Sequence, residues 1–149
     1  MTENADRVRE NTSDETNRQI DNETVARVEE YSQRSKAEIT RRIEELDREW
    51  DVERLLETNA SVLALSGLVL GATHSKKWLI VPGIVLPFLL QHAIQGWCPP
   101  IPIFRRLGVR TRQEIDREKY ALKVLRGDFS EVENQTDDKA RAALNAVSA

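Results

Sequence analysis

The sequence predicts an all-α membrane protein, a two-helix transmembrane hairpin with charged helical arms in the cytoplasm, and three observations carry that prediction. First, residues 55–73 form a run of about 19 whose only charge is Glu57, and residues 78–97 form a run of about 20 with no charge. At about 1.5 Å per helical residue, each run spans roughly 30 Å, the thickness of a bilayer's hydrocarbon core. Second, only His74, Ser75, Lys76 and Lys77 separate the two runs, which leaves room for a sharp reversal and little else. Third, tryptophans and arginines flank the runs. The mean hydropathy of -0.53 therefore averages two different materials, since nearly all the charge sits in the first and last thirds. The competing reading is a pair of buried helices in a soluble core. It is the weaker one, because core helices keep a polar face and two consecutive uncharged helices rarely do.

Composition narrows the partners. A formal charge of -3 and a pI near 5.5 argue against nucleic acid, which needs a strong basic excess. Cys98 is the only cysteine, so no disulfide within the chain is expected. The first thirty residues are polar and acidic without an apolar core, so no cleavable signal peptide is expected, and the internal spans would direct insertion.

Residues 1–22 are rich in Asn, Asp, Glu, Thr and Arg and are expected to be a disordered tail, having almost nothing to bury. Residues 23–54 lack Gly and Pro and predict a charged amphipathic helix. Ser35 to Glu38 has the form of a capping box, and Ile39, Ile43, Leu46 and Trp50 make an apolar stripe on one helix face. That stripe suits packing on a neighbour, a short coiled coil or a helix lying on the bilayer; packing is preferred, because under three heptads is short for a coiled coil. Residues 55–110 then hold the transmembrane hairpin and a Cys-Pro-Pro turn. Cys98, Pro99, Pro100 and Pro102 predict a non-helical turn after the second span. Ile103, Phe104 and Leu107, alternating with Arg105 and Arg106, suit a segment at the membrane surface. A second capping box, Thr111 to Glu114, opens a short helix within residues 111–129 that should stop at Gly127. Residues 130–149 read as a polar tail with a weak Ala-rich helix. Trp50, Trp78 and Trp97 suit the headgroup level, as do Arg105 and Arg106. Arginines 41, 42, 48 and 54 on one outer flank, and 105, 106, 110 and 112 on the other, outweigh Lys76 and Lys77, so the positive-inside rule puts both termini in the cytoplasm.

Two stripes bear on assembly. Ala60, Ala64, Gly67 and Gly71 share one face of the first span, and Gly67 to Gly71 is a GxxxG. Small residues let backbones approach closely in lipid, either inside the hairpin or at a homodimer seam, and the sequence leaves both open. Gly83, Pro87, Gln91 and Gln95 make a small-to-polar stripe on the second span, better suited to interhelical hydrogen bonds than to a transport path. Pro87 frees the carbonyl of Gly83. Cys98 is the candidate reactive thiol, since Arg105 and Arg106 lie near it in sequence and cations favour a thiolate; a small apolar filler is the more ordinary role. His74, His92 and Cys98 are too few and too scattered for a metal site, and no phosphate loop or nucleophile elbow is present. No cofactor is expected.

Gly96-Trp97-Cys98-Pro99-Pro100 followed by Phe104 to Val109, after two apolar spans, resembles the YgaP-like inner-membrane domain family. The resemblance covers about residues 55–110. It implies a multi-pass hairpin in a bacterial inner membrane that can dimerise. Some members carry a rhodanese domain that passes a persulfide through its own cysteine; this chain has no such domain, so that activity does not carry over. Two functions remain in view. One is a non-enzymatic membrane module, in contact with lipids, that self-associates or binds a cytoplasmic protein. The other is a thiol-based sulfur acceptor or redox sensor using Cys98.

Overall fold

A computed structural model describes residues 7–130 together with Ala140, Ala143 and Val147, and every element among them is helical. In chain order these are α1 (Arg7–Glu10), α2 (Asp14–Ser32), α3 (Lys36–Arg48), α4 (Val52–Thr73), a single 3₁₀ turn (Lys76–Leu79), α5 (Ile80–Gln95), α6 (Ile101–Arg106) and α7 (Arg112–Arg126). The chain divides into two compact units. Residues 1–20 and 50–113 form the first, and residues 21–49 and 114–149 the second, so the boundary falls within α2 and within α7.

The first unit is built on α4 and α5. Asp51 caps α4, its side chain accepting the Arg54 backbone N–H, and the helix runs from there without interruption to Thr73. It starts three residues ahead of the predicted span, because this cap rather than hydropathy sets the boundary. The 3₁₀ turn reverses the chain, and α5 packs back along α4. Ala60, Ala64 and Gly67 are buried in this seam. A Cβ on Gly67 would lie 2.5 Å from Pro82 Cδ and 2.9 Å from Val81 Cβ, and one on Gly71 would lie 2.5 Å from Leu79 Cδ2. The face left open between two uses is therefore occupied within the pair by α5.

Several expectations need correction here. Within the tail predicted over residues 1–22, residues 1–6 lie outside the described residues, and residues 7–10 and 14–22 are helical rather than disordered. Their few apolar side chains, Val8 and Ile20, are both buried, and polar side chains tie the segment down. Residues 23–54 are not one helix: α2 ends at Ser32, and the Ser35–Glu38 capping box starts α3 afresh. The stretch 98–102 is not wholly non-helical either. Pro100 is the N-cap of α6 and Pro102 lies in its first turn, where a missing N–H costs nothing and the fixed φ suits a helix. The tail 130–149, with its Ala-rich segment, lies almost entirely outside the described residues.

The first unit's core gathers Val8, Val52, Leu56, Cys98 and Ile101, with Leu89, Phe104 and Val109 packed on it. In the second unit, Ile39, Ile43 and Leu46 of the predicted stripe pack on Ile115 and Leu122 of α7, which selects packing on a neighbour among the three readings. Trp50, the fourth member, is 43% exposed and stacks against Arg54 instead. Glu118 is fully buried and binds Arg27 and Arg42 at 3.1 and 3.0 Å, joining α2, α3 and α7. A carboxylate so placed depends on these arginines, because without them it would be a desolvated charge with no cation beside it.

The seam yields a prediction. Gly67→Leu should force α4 and α5 apart, with an overpacking cost of about 1–3 kcal/mol or more. A fall in the thermal midpoint of the full chain in detergent checks it, and Gly83→Leu should be the harmless comparison, since a Cβ on Gly83 meets nothing within 4 Å.

Candidate functional site

The end of the helix pair where α4 starts and α5 finishes carries the chain's most varied chemistry. Four features meet there: a capped helix terminus, a buried arginine, the cysteine turn and a polar cavity.

The terminus comes first. An α-helix leaves its last carbonyls without partners, and those of α5 are met from the N-terminal segment. Arg7 Nη1 donates to the Ala93 and Ile94 carbonyls at 2.8 and 3.0 Å, and Asn11 Nδ2 donates to the Gln95 carbonyl at 3.1 Å. Gly96 ends the helix with φ of 73°, a left-handed cap that favours glycine, and the Arg7 backbone presses close against it. The sequence reading missed this docking, because an arginine and an asparagine in a polar run look like solvated residues.

Arg105 is the second feature. Read in sequence as an anchor at the membrane surface, it is instead 1% exposed. Its guanidinium donates to Thr12 Oγ1 at 3.1 Å, Asn17 Oδ1 at 3.0 Å and the Val109 carbonyl at 3.0 Å. Planar donors that fan out in this way tie α6 to the start of α2. Arg106 beside it is exposed, as is Trp78, while Trp97 is half-buried.

Cys98 lies among Val8, Val52, Leu56 and Ile101. Burial pushes its thiol pKa up, the reverse of what neighbouring guanidinium groups would do, and Arg105 spends its donors elsewhere. Pro99 is exposed and Pro100 half-buried. The surroundings therefore favour the neutral thiol and give a thiolate no support.

A cavity of about 690 Å³ is lined by Arg7, Glu53, Glu57, Ser61, His92 and Arg112, among others. Glu53, Glu57 and Ser61 reach it from α4 at spacings of four, a signal present in the sequence but passed over, and His92 faces them from α5. Glu57 makes no hydrogen bond or ion pair among the described residues, and His92 Nδ1 is buried without a hydrogen-bond partner. On the other side of the seam, Leu56, Ala60, Leu63, Phe88 and Cys98 line a smaller, almost wholly apolar groove. The polar stripe does not meet α4. Gly83, Pro87 and Gln95 are exposed and Gln91 half-buried, and Gln91 donates to Gln95 along the helix at 3.3 Å. Among the described residues, no three His, Cys, Asp or Glu side chains converge as metal ligands would.

No protein-family model matches the chain, and no curated protein or solved structure matches it.

The thiol supplies a prediction. A folded pKa above the unfolded one gives stability that is fully present below the unfolded pKa and is lost as pH rises through the folded one. Maleimide should therefore label Cys98 slowly at neutral pH in the folded chain, and denaturant should speed labelling at least tenfold. Rapid labelling of folded protein at pH 7 would contradict the buried environment.

Proposed function

We propose that the chain is a small integral membrane protein of a bacterial inner membrane, with both termini in the cytoplasm. On this reading it works as a non-enzymatic module that offers its charged helices to a protein partner. The observation that carries the proposal is the exterior of α4 and α5. Val62, Leu65, Val69, Ile80, Leu90 and Ile94 are each between 58% and 66% exposed. Soluble monomers rarely show contiguous apolar patches larger than a few hundred Å². Two helical stretches, one ending at Thr73 with α4 and one running from Lys76 through the 3₁₀ turn and α5 to Gln95, are also long and apolar enough to cross a bilayer. A buried core pair would hide these side chains, whereas lipid covers them at no cost.

The charge distribution supports the orientation. Arg54, Arg106 and Arg112 follow or precede the spans at the end where α4 starts, against Lys76 and Lys77 in the turn. The resemblance of residues 55–110 to the YgaP-like family is part of the same proposal. Partner binding is favoured over self-association through the small-residue face, because α5 already fills that face.

Reporter fusions test the topology. Fusions after Trp50 and after Phe129 should both report cytoplasm, and one at Lys76 should report the opposite side. A periplasmic signal from either outer position would overturn the proposal.

A further inference from the structure

The polar cavity beside the α4–α5 seam has a composition that neither anchoring nor partner binding requires. Its lining carries two carboxylates, Glu53 and Glu57, and two guanidinium groups, Arg7 and Arg112, so with His92 neutral its formal charge sums to zero. Its volume of about 690 Å³ falls within the roughly 300–1,000 Å³ usual for small-molecule sites. Its position is equally specific. Glu57 is the last charge on α4 before the uncharged run that begins at Thr58, and Ser61 lies one turn farther in. If α4 spans a bilayer, as proposed above, the cavity straddles the level where headgroups meet hydrocarbon.

We propose that this cavity binds the headgroup of a zwitterionic phospholipid bearing a primary ammonium, a phosphoethanolamine lipid. The ammonium sits against Glu57, whose carboxylate has no hydrogen bond or ion pair among the described residues, and the phosphate lies toward the guanidinium side of the cavity. His92 adds a ring nitrogen, Nδ1, with no hydrogen-bond partner of its own. Charge complementarity chooses this occupant. An anionic headgroup would bring its negative charge beside two carboxylates with no cation to offer them. A quaternary ammonium would lack the N–H groups that a carboxylate binds best. A lipid rather than a soluble amine is the source, because on the membrane reading the site opens at the depth where lipid headgroups are concentrated, and its lining includes Leu89 and Ala93 of the apolar α5.

This inference rests on the membrane reading, and the experiment separates the two. The purified full-length chain in detergent micelles is titrated with dioleoyl-phosphatidylethanolamine, the corresponding phosphatidylcholine, the corresponding phosphatidylglycerol, or water-soluble glycerophosphoethanolamine, and thermal unfolding is followed. The ethanolamine lipid should raise the midpoint by at least about 3 °C more than the other two lipids, since a ligand that binds only the folded state stabilises it. Glu57→Gln, a change at an exposed side chain, should abolish that excess when judged against its own lipid-free midpoint. Equal shifts from all three lipids, a preference for the glycerol lipid, or an excess that survives Glu57→Gln would each overturn the site. An equal effect from glycerophosphoethanolamine would overturn the lipid as its source. Alkaline carbonate extraction of membranes from the same cells reads the membrane reading by itself. A chain that stays with the membrane yet shows no ethanolamine preference loses this inference alone, whereas release by carbonate removes both.

Discussion

If lipid covers the apolar outside of α4 and α5, as proposed, the helix pair lacks the force that ordinarily holds helices together. In hydrocarbon a leucine gains nothing by turning from lipid to protein, so the pair depends on close contact between surfaces that fit. Gly67 and Gly71 provide it. With no side chains there, Pro82, Val81 and Leu79 come within a distance that even one methyl group would block. The last carbonyls of α5 also need partners, and the open end of the helix meets that demand by recruiting Arg7 and Asn11 from the start of the chain. The ordering of a polar N-terminal segment thus follows from the needs of a helix more than eighty residues away.

The second unit works by the opposite rule. Water surrounds charged helices such as α3 and α7, so an apolar stripe has a reason to hide, and Ile39, Ile43 and Leu46 do so against Ile115 and Leu122. Into that unit the chain places a fully buried carboxylate, Glu118, paired with Arg27 and Arg42. Hydrophobic burial supplies the attraction, and Arg27 and Arg42 offset the cost of burying the Glu118 carboxylate.

What could be read from the sequence follows the reach of each signal. The two apolar runs, the Ser35 capping box, the Ile39–Ile43–Leu46 stripe and the Gly127 stop are local, and each appears as helix, cap, core face or terminus. The misreadings were long-range. Arg105 looked like a surface anchor because its partners Thr12 and Asn17 lie some ninety residues earlier, and nothing in the sequence announces that pairing. Residues 7–22 looked disordered for the same reason, since their composition is polar and what they bind is distant. Cys98 admits two readings from local sequence, an activated thiol or the more ordinary small apolar filler, and only the fold shows that it lies among apolar side chains. The cavity was half visible, in the spacing of Glu53, Glu57 and Ser61, while Arg7 and Arg112 reach it only through the fold.

The central claim is that lipid covers side chains that the folded chain leaves bare. In a Cys98→Ala background, single cysteines at Leu65, Val69, Ile84 and Leu90 would be treated with a membrane-impermeant maleimide, first in intact membrane vesicles and then after denaturation in SDS. A cysteine at Arg41, which is 71% exposed on α3, serves as the water-facing reference. The account predicts that all four span positions stay unlabelled in the vesicles and label fully in SDS, while position 41 labels in both once the cytoplasmic face is accessible. Labelling of the span positions in intact vesicles as fast as at position 41 would show that water, not lipid, surrounds α4 and α5.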